Sequence, residues 1–500
     1  MISADINWLQ QTLKNEIKQS IHLTEHDLSN SIEFISTDSR TISENQVFVA
    51  LTGPNFDGSK FIKEVQAKGA IAVVTQTLDP SVKVPQFLVD NTLTAYGKIS
   101  AQVAKESDVK TIAITGSVGK TSVKEMCAAI LAHKVSLVHK ASLAHKKTGN
   151  NEAAQQSNKV LATQGNFNNE VGVPHTLMRF NPELEFAVVE LGANHIGEIA
   201  YTTNLTQPDV AVLNNVGEAH LEGFGSLMGV VQAKGEIYQG LSENGIAVVN
   251  ADSEYKEHWL SKLRTQFSEP ESHILQFSTD PNNAGQSGFI VSDNIELNEL
   301  ACAKFDLLYQ QQSISIQLPI PGRHNVANAL AASAACLALG VSLSDIKHGL
   351  QNMGSVKGRV NINKVSEQLL IIDDSYNANV KSVNAASDLL SNYEGVKVLT
   401  LGDMGELGDE GTSLHQQVGV YAMNVGIDFL FSFGELSQFA SDAFGEGEHF
   451  SEQTLLTKKI IETINDTKGK ITVLVKGSRS AKMENVVNAL ITHYKNNNKG

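Results

Sequence analysis

The residues best suited to chemistry form the octapeptide TGSVGKTS at positions 115–122, directly after the apolar run TIAI and before a segment rich in helix-forming residues. Glycines let backbone amides close around phosphate oxygens, and a helix start adds the positive end of its dipole. Lys120 would meet the β- and γ-phosphates of a nucleotide, while the Thr121 hydroxyl could ligate Mg²⁺. The spacing is not that of the usual phosphate loop, because the first glycine is displaced to Gly116. The pattern predicts a nucleotide-binding loop made of Thr115, Gly116, Ser117, Val118, Gly119, Lys120, Thr121 and Ser122; the alternative is a glycine-rich turn with a chance lysine.

An acid and a histidine follow later strand-like runs. Glu190 ends the strand pattern FAVVEL, where strand tips of parallel sheets meet ligands. His220 lies in NNVGEAHLEGFGS, just beyond another apolar run. Either residue alone could be structural, Glu190 as a surface acid and His220 as a packed side chain. Their places after strands of the same predicted sheet favour a metal partner for the phosphate loop.

Three further positions have side chains that suit a nucleotide. Asn325 and Asn328 share one face of a helix opened by GRHNVANALAA, and amides can both donate to and accept from an adenine edge. Arg359 suits a phosphate, and Asp374 after the run QLLIIDD suits ribose hydroxyls. The alternatives are a helix cap for the asparagines and salt bridges for the charged pair.

Apolar runs define the elements that must hold these residues. Between residues 108 and 353 such runs alternate with helical patterns, which is typical of a mostly parallel sheet covered on both faces. The pattern restarts after residue 354 and predicts a second doubly wound sheet, whereas residues 1–107 show short strands and turns of a small α/β domain. The sequence predicts an α/β protein of three domains, 1–107, 108–353 and 354–500. The polar stretch 140–159 is predicted to be an exposed loop.

Composition narrows the class of protein. A chain of 500 residues exceeds one hydrophobic core, and a net charge of −15 argues against a nucleic-acid or anionic-membrane partner. The three cysteines are widely spaced, the N-terminus lacks a signal-peptide pattern, and the apolar stretch 326–339 is too short to span a bilayer. These features predict a cytoplasmic protein.

Taken together, the segments resemble those of the Mur ligase family. The displaced glycine of TGSVGKTS is similar to that family's own compact phosphate loop, and the resemblance covers essentially the whole chain. Other segments that carry it are STDSRTISENQVFVALTGPNFDG, GNFNNEVGVP, VVELGANHIGEI, QAKGEI, DDSYNAN, LGDMGELG and KGSRSAKME. The resemblance implies a UDP-substrate domain, a central ATPase domain with a phosphate loop and a Rossmann-like last domain.

The resemblance also implies roles for single residues. It implies that Ser39 and Arg40 bind the UDP-sugar end and that Asn168 and Asn169 line the muramoyl-peptide cleft. It implies that Lys120, Arg359, Asn325, Asn328 and Asp374 bind ATP. It further implies that Glu190, His220 and Thr121 ligate Mg²⁺, and that Lys234 reacts with CO₂ to become a carbamate that joins them as a ligand.

Among family members, the segments are most similar to the branch that adds D-alanyl-D-alanine to a UDP-N-acetylmuramoyl tripeptide. The implied reaction is ATP-dependent amide formation through an acyl phosphate, in peptidoglycan precursor synthesis, by a chain expected to be a monomer. The branch that adds the third amino acid carries an Asp-Asn-Pro-Arg signature that is absent here. A folylpolyglutamate synthase would lack the UDP-sugar domain, and a nucleotide-binding protein without catalysis would have no need of Glu190, His220 and Lys234 together.

Overall fold

A computed structural model describes residues 1–53, 56–144, 159–218, 221–354, 356 and 358–497. Within them the chain forms three large sheets covered by helices, so the predicted α/β class with mostly parallel sheets is confirmed. The sheets lie in residues 17–89, 110–321 and 361–476. The limits 107/108 and 353/354 fall between sheets, and they stay predictions.

The first sheet has the strand order β2-β9-β8-β5-β4, with β2 antiparallel and the other neighbours parallel. Two short two-stranded pairs accompany it, β1 with β3 and β6 with β7. The strands are β1 (Ala4–Asp5), β2 (Ile17–Ile21), β3 (Ser31–Ile32), β4 (Phe34–Ser36), β5 (Gln46–Val49), β6 (Thr52–Gly53), β7 (Phe56–Asp57), β8 (Ala72–Thr75) and β9 (Gln86–Val89). The helices are α1 (Ile6–Thr12), α2 (Ile62–Ala67) and α3 (Thr92–Glu106).

The central sheet has nine strands in the order β11-β12-β10-β13-β14-β15-β16-β17-β18. The strands are β10 (Lys110–Thr115), β11 (Val160–Ala162), β12 (Phe186–Glu190), β13 (Val210–Leu213), β14 (Ile246–Asn250), β15 (Ile274–Ser278), β16 (Phe289–Leu297), β17 (Cys302–Tyr309) and β18 (Gln312–Pro321). The helices are α4 (Lys120–Ala144), α5 (Gly172–Leu177), α6 (Glu198–Thr206), α7 (Leu221–Phe224), α8 (Leu227–Gly235), α9 (Lys256–Gln266), α10 (Pro270–His273), α11 (His324–Ala338) and α12 (Leu343–Gln351).

Alternation along the central strands explains why both faces of this sheet are covered. On β10, Ile112 and Ile114 join the apolar cluster that contains α4 and α11 residues, whereas Ala113 joins the cluster shared with the first sheet. Successive side chains of a strand point to opposite faces, so a continuous apolar run requires cover on both. The strands β16 to β18 are antiparallel to one another, an extension that the sequence analysis did not identify.

The last sheet has the order β19-β20-β24-β21-β22-β23, parallel except for β19 against β20. The strands are β19 (Asn361–Lys364), β20 (Leu369–Asp374), β21 (Val396–Gly402), β22 (Phe429–Phe433), β23 (Glu448–Phe450) and β24 (Ile471–Lys476). The helices are α13 (Val380–Ser391), α14 (Gly411–Asn424), α15 (Gln438–Phe444), α16 (Gln453–Asp466) and α17 (Glu484–Asn497).

One loop prediction was partly wrong. Helix α4 continues to Ala144 and so includes the first residues of the stretch 140–159 that was predicted to be a loop. The letters KASLA at 140–144 contain good helix formers, and a helix already begun adds them at little cost. Residues 145–158 lie outside the described residues.

Candidate active site

The loop between β10 and α4 is held by two asparagines of the next strand region. The backbone N–H of Ser117 donates to the Asn215 carbonyl at 3.0 Å, and that of Val118 donates to Asn215 Oδ1 at 2.9 Å. Asn214 Nδ2 donates to the Val118 carbonyl at 3.0 Å. At Gly119 φ is +78°, and a Cβ there would lie 2.5 Å from Asn328 Oδ1, so only glycine fits. The loop therefore holds a fixed shape at the start of α4.

Lys120 is the first residue of α4, and its Nζ donates to the Gly116 carbonyl at 2.8 Å. Burial lowers the pKa of its ammonium; attraction to Glu190 opposes that shift and the nearby Arg359 adds to it. The lysine thus lies between the loop, an acid of the central sheet and an arginine of the last region.

Glu190 is the centre of a hydrogen-bonded group next to the loop. Thr121 Oγ1 donates to Glu190 Oε2 at 3.0 Å, and Asn168 Nδ2 donates to Oε1 at 2.9 Å. The carboxylate is 3% exposed, so these bonds replace those it would make with water. A hydroxyl and a carboxylate oxygen in this arrangement are the ligand types that Mg²⁺ accepts.

Lys234 lies in α8 and is almost fully buried, with 1% exposure. Its Nζ is 5.6 Å from the centre of the Phe224 ring. Burial, and then repulsion from Lys120, hold its pKa well below the usual lysine range. A lysine in this environment favours the neutral amine.

His220 lies outside the described residues, so its predicted metal role stays a prediction. In the described part of the chain, no group of three or more His, Cys, Asp or Glu side chains is arranged so that it could hold a metal ion. The oxygen ligands of Thr121 and Glu190 are the part of the predicted metal set that the structure brings together.

The side-chain amides of the two asparagines of α11 form hydrogen bonds within the protein. Asn325 Nδ2 donates to the Pro321 carbonyl at 2.7 Å, and Asn328 Nδ2 donates to Asn325 Oδ1 at 2.9 Å. Asn328 Oδ1 accepts from Asn214 Nδ2 at 2.9 Å. These bonds tie Asn328 to the phosphate loop, whereas the predicted contact of both residues with adenine stays a prediction.

Charged side chains of the last region face the loop across the cleft. The Arg359 guanidinium stacks on the Tyr376 ring at 4.4 Å, and its Nε is buried with no hydrogen-bond partner within the described structure. Asp374 Oδ2 accepts from Lys476 Nζ at 2.6 Å, and both side chains are buried. An unpartnered buried donor of this kind fits an oxyanion such as a phosphate.

One cleft of about 1520 Å³ connects these groups. It lies between the central and last sheets, and its lining includes these predicted residues: Ser117, Val118, Gly119, Lys120, Thr121, Ser122, Asn168, Asn169, Glu190, Asn325, Asn328, Arg359 and Asp374. Thr115, Gly116 and Lys234 are not among the lining residues. The Thr115 hydroxyl is buried and donates to the Leu191 carbonyl at 2.8 Å.

Ser39 and Arg40 are not part of this cleft. They follow β4 in the first region, where Arg40 is exposed and its guanidinium forms an ion pair with Asp38 at 2.7 Å. The side chain of Asn169 accepts from the Gly172 N–H at 2.9 Å, at the start of α5. The predicted substrate roles of Ser39, Arg40, Asn168 and Asn169 stay predictions.

Several cleft residues escaped the sequence analysis. Asn214 and Asn215 hold the phosphate loop, Lys476 pairs with Asp374, and Lys124 lies one turn after Lys120. The signal for the asparagines was present, because the pair NN directly follows β13 at a strand tip. Lys476 ends a strand far along the chain, and only the parallel pairing of β20 with β24 brings it opposite Asp374.

Comparison with known proteins identifies the family. Three family models match in order along the chain: "Mur ligase family, catalytic domain" at 31–134, "Mur ligase middle domain" at 114–336 and "Mur ligase, glutamate ligase domain" at 358–479. The chain belongs to the Mur ligase family. As a Mur ligase it is an ATP-dependent enzyme that forms amide bonds. The first match crosses residue 107, so it does not fix the first domain limit.

Curated relatives cover this Mur ligase almost end to end. The UDP-N-acetylmuramoyl-tripeptide–D-alanyl-D-alanine ligase of Escherichia coli (strain K12) is 42% identical over 98% of this chain and 99% of its own. The ligase of the same name from Haemophilus influenzae is 40% identical over 92% of this chain and 93% of its own.

Solved structures agree with the fold of this Mur ligase. A crystal structure of MurF from Acinetobacter baumannii superposes with a TM-score of 0.85 at 32% identity, covering 98% of this chain and 99% of that one. MurF ligase from Thermotoga maritima, solved in complex with ADP, has a TM-score of 0.75 at 25% identity and covers 93% and 98%. Among the described residues, no helix has the length and apolar character needed to cross a membrane.

Proposed function

We propose that this Mur ligase joins D-alanyl-D-alanine to the terminal carboxylate of a UDP-N-acetylmuramoyl tripeptide, using ATP, in peptidoglycan precursor synthesis. The observation that carries the proposal is the 42% identity to the Escherichia coli ligase over 98% of this chain. The cleft of about 1520 Å³ between two sheets is large enough for both a nucleotide and a peptide.

The proposed reaction proceeds through an acyl phosphate. An oxygen of the tripeptide carboxylate attacks the γ-phosphorus, and the bond from that phosphorus to the bridging oxygen breaks to release ADP. The amine of D-alanyl-D-alanine then attacks the acyl carbon, phosphate leaves, and the amine proton is lost to solvent. Carboxylate and ATP are both anionic, so Lys120 and Arg359, which face each other across the cleft, neutralise their approach.

The remaining residues bind and orient. The loop 115–122 binds the phosphates, with Asn325, Asn328 and Asp374 on the nucleoside and Asn168 and Asn169 on the muramoyl peptide. Ser39 and Arg40 hold the UDP end of the substrate. The three domains meet at 107/108 and 353/354. The enzyme acts in the cytoplasm as a monomer.

Thr121 and Glu190 would hold Mg²⁺, assisted by His220 and by Lys234 as a carbamate. Bound Mg²⁺ supplies positive charge that offsets the charge on the phosphates. Support for the carbamate comes from the burial of Lys234 beside Lys120, because a second ammonium there repels the first. The neutral amine can add CO₂, and the product is an anionic oxygen ligand of the kind Mg²⁺ accepts.

The function is tested by supplying ATP with the UDP-tripeptide and D-alanyl-D-alanine and measuring phosphate release together with the product mass. We expect a product whose mass exceeds that of the UDP-tripeptide by the dipeptide less one water. Phosphate release should require both the UDP-tripeptide and D-alanyl-D-alanine. A UDP-dipeptide with a free third amino acid is the control for the neighbouring branch of the family. Turnover with that pair alone, or none with either pair, would contradict the proposal.

The carbamate has a separate test. Lys234→Ala should abolish ligation, and short carboxylic acids should restore part of it by filling the vacated ligand position. The matched control is Lys262→Ala on the exposed side of α9. Full activity of Lys234→Ala would show that no carbamate is needed.

A further inference from the structure

A second buried lysine on α4 has no part in the reaction described above. Lys124 lies one turn after Lys120 and is 3% exposed. Lysine is rarely buried without partners, because removing an ammonium from water is costly. The contacts of the Lys124 ammonium should therefore indicate its role.

The Lys124 ammonium joins α4 to the end of β11. Its Nζ donates to the Thr163 carbonyl at 2.7 Å and pairs with Glu125 at 2.8 Å. Glu125 is a neighbour on the same helix and is partly exposed, so Thr163 is the partner that crosses between elements. A charged donor on a buried carbonyl forms one of the stronger hydrogen bonds in proteins.

Thr163 in turn is bound to strand β12 at two points. Its N–H donates to the Val188 carbonyl at 3.0 Å, and its hydroxyl accepts from the Glu190 N–H at 2.9 Å. The loop that follows, residues 164–169, returns to the same acid, because Asn168 Nδ2 donates to Glu190 Oε1. The Asn168 carbonyl also accepts from the Gly192 N–H at 2.8 Å.

These bonds form a closed ring. Thr121 and Lys124, one helical turn apart on α4, hold the Glu190 carboxylate and Thr163 respectively, and Thr163 and Asn168 both hold Glu190. Loss of Lys124 would free the start of the loop while leaving the phosphate loop itself in place. Thr121 and Lys124 thus hold the ring on α4, beside the phosphate loop. Thr163 and Asn168 hold it on the side where the proposed function places the peptide.

We infer that Lys124 is a positioning residue for the UDP-peptide substrate: it fixes loop 163–169 to α4 so that Asn168 meets Glu190 in the substrate cleft. The inference rests on the proposed function, which puts the muramoyl peptide at Asn168 and Asn169. Lys124 acts through its bond to the Thr163 carbonyl.

The main variant is Lys124→Met, which has similar length and cannot donate. The KM for the UDP-tripeptide should rise roughly tenfold, the loss expected for a charged hydrogen bond, while the KM for ATP stays within about twofold. Lys124→Arg should recover part of the loss, because it can still donate to the Thr163 carbonyl. Lys134→Met, which removes a half-buried lysine far along the same helix, is the matched control.

Thr163→Val tests the same chain of bonds from the other end, since it keeps the carbonyl and removes the hydroxyl that accepts from Glu190. It should also raise the KM for the UDP-tripeptide, and the double variant Lys124→Met/Thr163→Val should lose less than the two single losses combined. Equal rises in both KM values, a fall in kcat alone, or fully additive losses would overturn the inference. Should Lys124→Met not fold, the same comparison is made with Lys124→Arg and Thr163→Val.

Calorimetric binding of the UDP-tripeptide without ATP separates the two proposals. A wild-type enzyme that fails to bind it would contradict the proposed function. Equal affinities of the wild type and Lys124→Met for the UDP-tripeptide would contradict the positioning role alone. Binding weakened in Lys124→Met and Thr163→Val, but unchanged in Lys134→Met, is the expected result.

Discussion

At the scale of single residues, four buried lysines differ in their neighbours and therefore in how readily they hold a proton. Lys120 faces an acid and an arginine, Lys124 donates to a backbone carbonyl, Lys476 pairs with Asp374, and Lys234 meets an aromatic ring in the interior. Burial lowers the pKa of Lys120, Lys234 and Lys476, and the nearby carboxylate opposes that shift for Lys120 and Lys476. Differences in neighbours therefore decide which of these lysines stays a cation.

Lys120→Ala should depress kcat by orders of magnitude while the fold is retained, because it removes a charge that acts on the transferring phosphate. Steady-state kinetics and the circular dichroism spectrum measure the two parts of this prediction. Lys134→Ala on the same helix is the control. Normal turnover of Lys120→Ala would contradict the phosphate-loop assignment.

Lys234→Met should unfold at a higher urea concentration than the wild type at pH 7 in CO₂-free buffer. The folded-state pKa of Lys234 lies below its unfolded value of about 10.4, so the unfolded chain binds a proton that the native state does not. Stability of the wild type consequently falls as the pH drops below about 10. The difference, more than about 1 kcal/mol at pH 7, should shrink at pH 9.5.

Added bicarbonate sharpens that comparison. If the lysine takes up CO₂, bicarbonate should stabilise the wild type and leave Lys234→Met unchanged, because a group bound only by the native state raises its stability. Equal responses of the two proteins would count against the carbamate.

At the scale of elements, the segment LGDMGELG has a structural explanation. The Asp403 carboxylate accepts three backbone N–H groups, from Glu435, Leu436 and Ser437, just before α15. Two residues of the turn, Glu406 and Gly408, have φ of +63° and +56°. The segment is a turn whose Asp403 is bound to the backbone just before α15, and we expect its resemblance to family segments to reflect this geometry.

His415 of α14 closes this turn. Its Nε2 accepts from the Met404 N–H at 3.0 Å, so the Nδ1–H donates to the Gly411 carbonyl. Burial lowers the pKa of His415, although the Gly411 carbonyl opposes that shift. The native state therefore holds the imidazole neutral.

Low pH should reduce the free energy of unfolding through protonation of His415. Its folded-state pKa lies below the unfolded value of about 6.5, so stability that is present above that pH is lost as the pH falls below it. His415→Gln should be less stable at pH 7 and should lose less additional stability between pH 6.5 and 5. Thermal unfolding at both pH values tests this, with the exposed His22→Gln as control. Parallel pH profiles for wild type and His415→Gln would refute it.

At the scale of the molecule, both apolar packing and hydrogen bonding join the central and last regions. Leu221 of α7 packs against both the large central cluster and the cluster that contains Met404 and Leu407. The Tyr393 hydroxyl donates to the Leu300 carbonyl at 3.0 Å, beside the buried Ala301. These contacts hold Arg359 and Asp374 opposite the phosphate loop.

Leu221→Ala should loosen this association by about 1 kcal/mol, the value of burying part of a leucine. In a calorimetric scan the last region should unfold at a lower temperature than the rest, with a broader or divided transition. The control is Leu455→Ala, which removes a half-exposed leucine from α16. An unchanged single transition would show that Leu221 does not connect the two regions.

The first region should be independent of ATP. No described residue of the range 1–107 lines the cleft of about 1520 Å³. Expressed alone, if folded, this fragment should bind the UDP moiety weakly and ATP not at all. Binding of ATP to it in calorimetry would contradict the proposed domain limits.

The sequence alone identified the loop between β10 and α4, most parallel strands and the family, because each depends on local order. TGSVGKTS is contiguous, and continuous apolar runs such as those of β10 and β12 report a sheet buried on both faces. The strands β16 to β18 were missed because they are antiparallel to one another and partly exposed, which breaks the continuous apolar pattern.

Only the tertiary structure decided which side chains meet. Lys476 lies 102 residues from Asp374, and Thr163 lies 39 residues from Lys124, yet each pair is in hydrogen-bond contact. No periodicity or spacing encodes such pairs, since they follow from the order of strands in a sheet. The same reason explains Asn328, whose helix position suited adenine but whose amide is bound to Asn214 and Asn325. Strand order is set by the packing of the whole chain, and it fixed the network around Glu190 that the sequence left open.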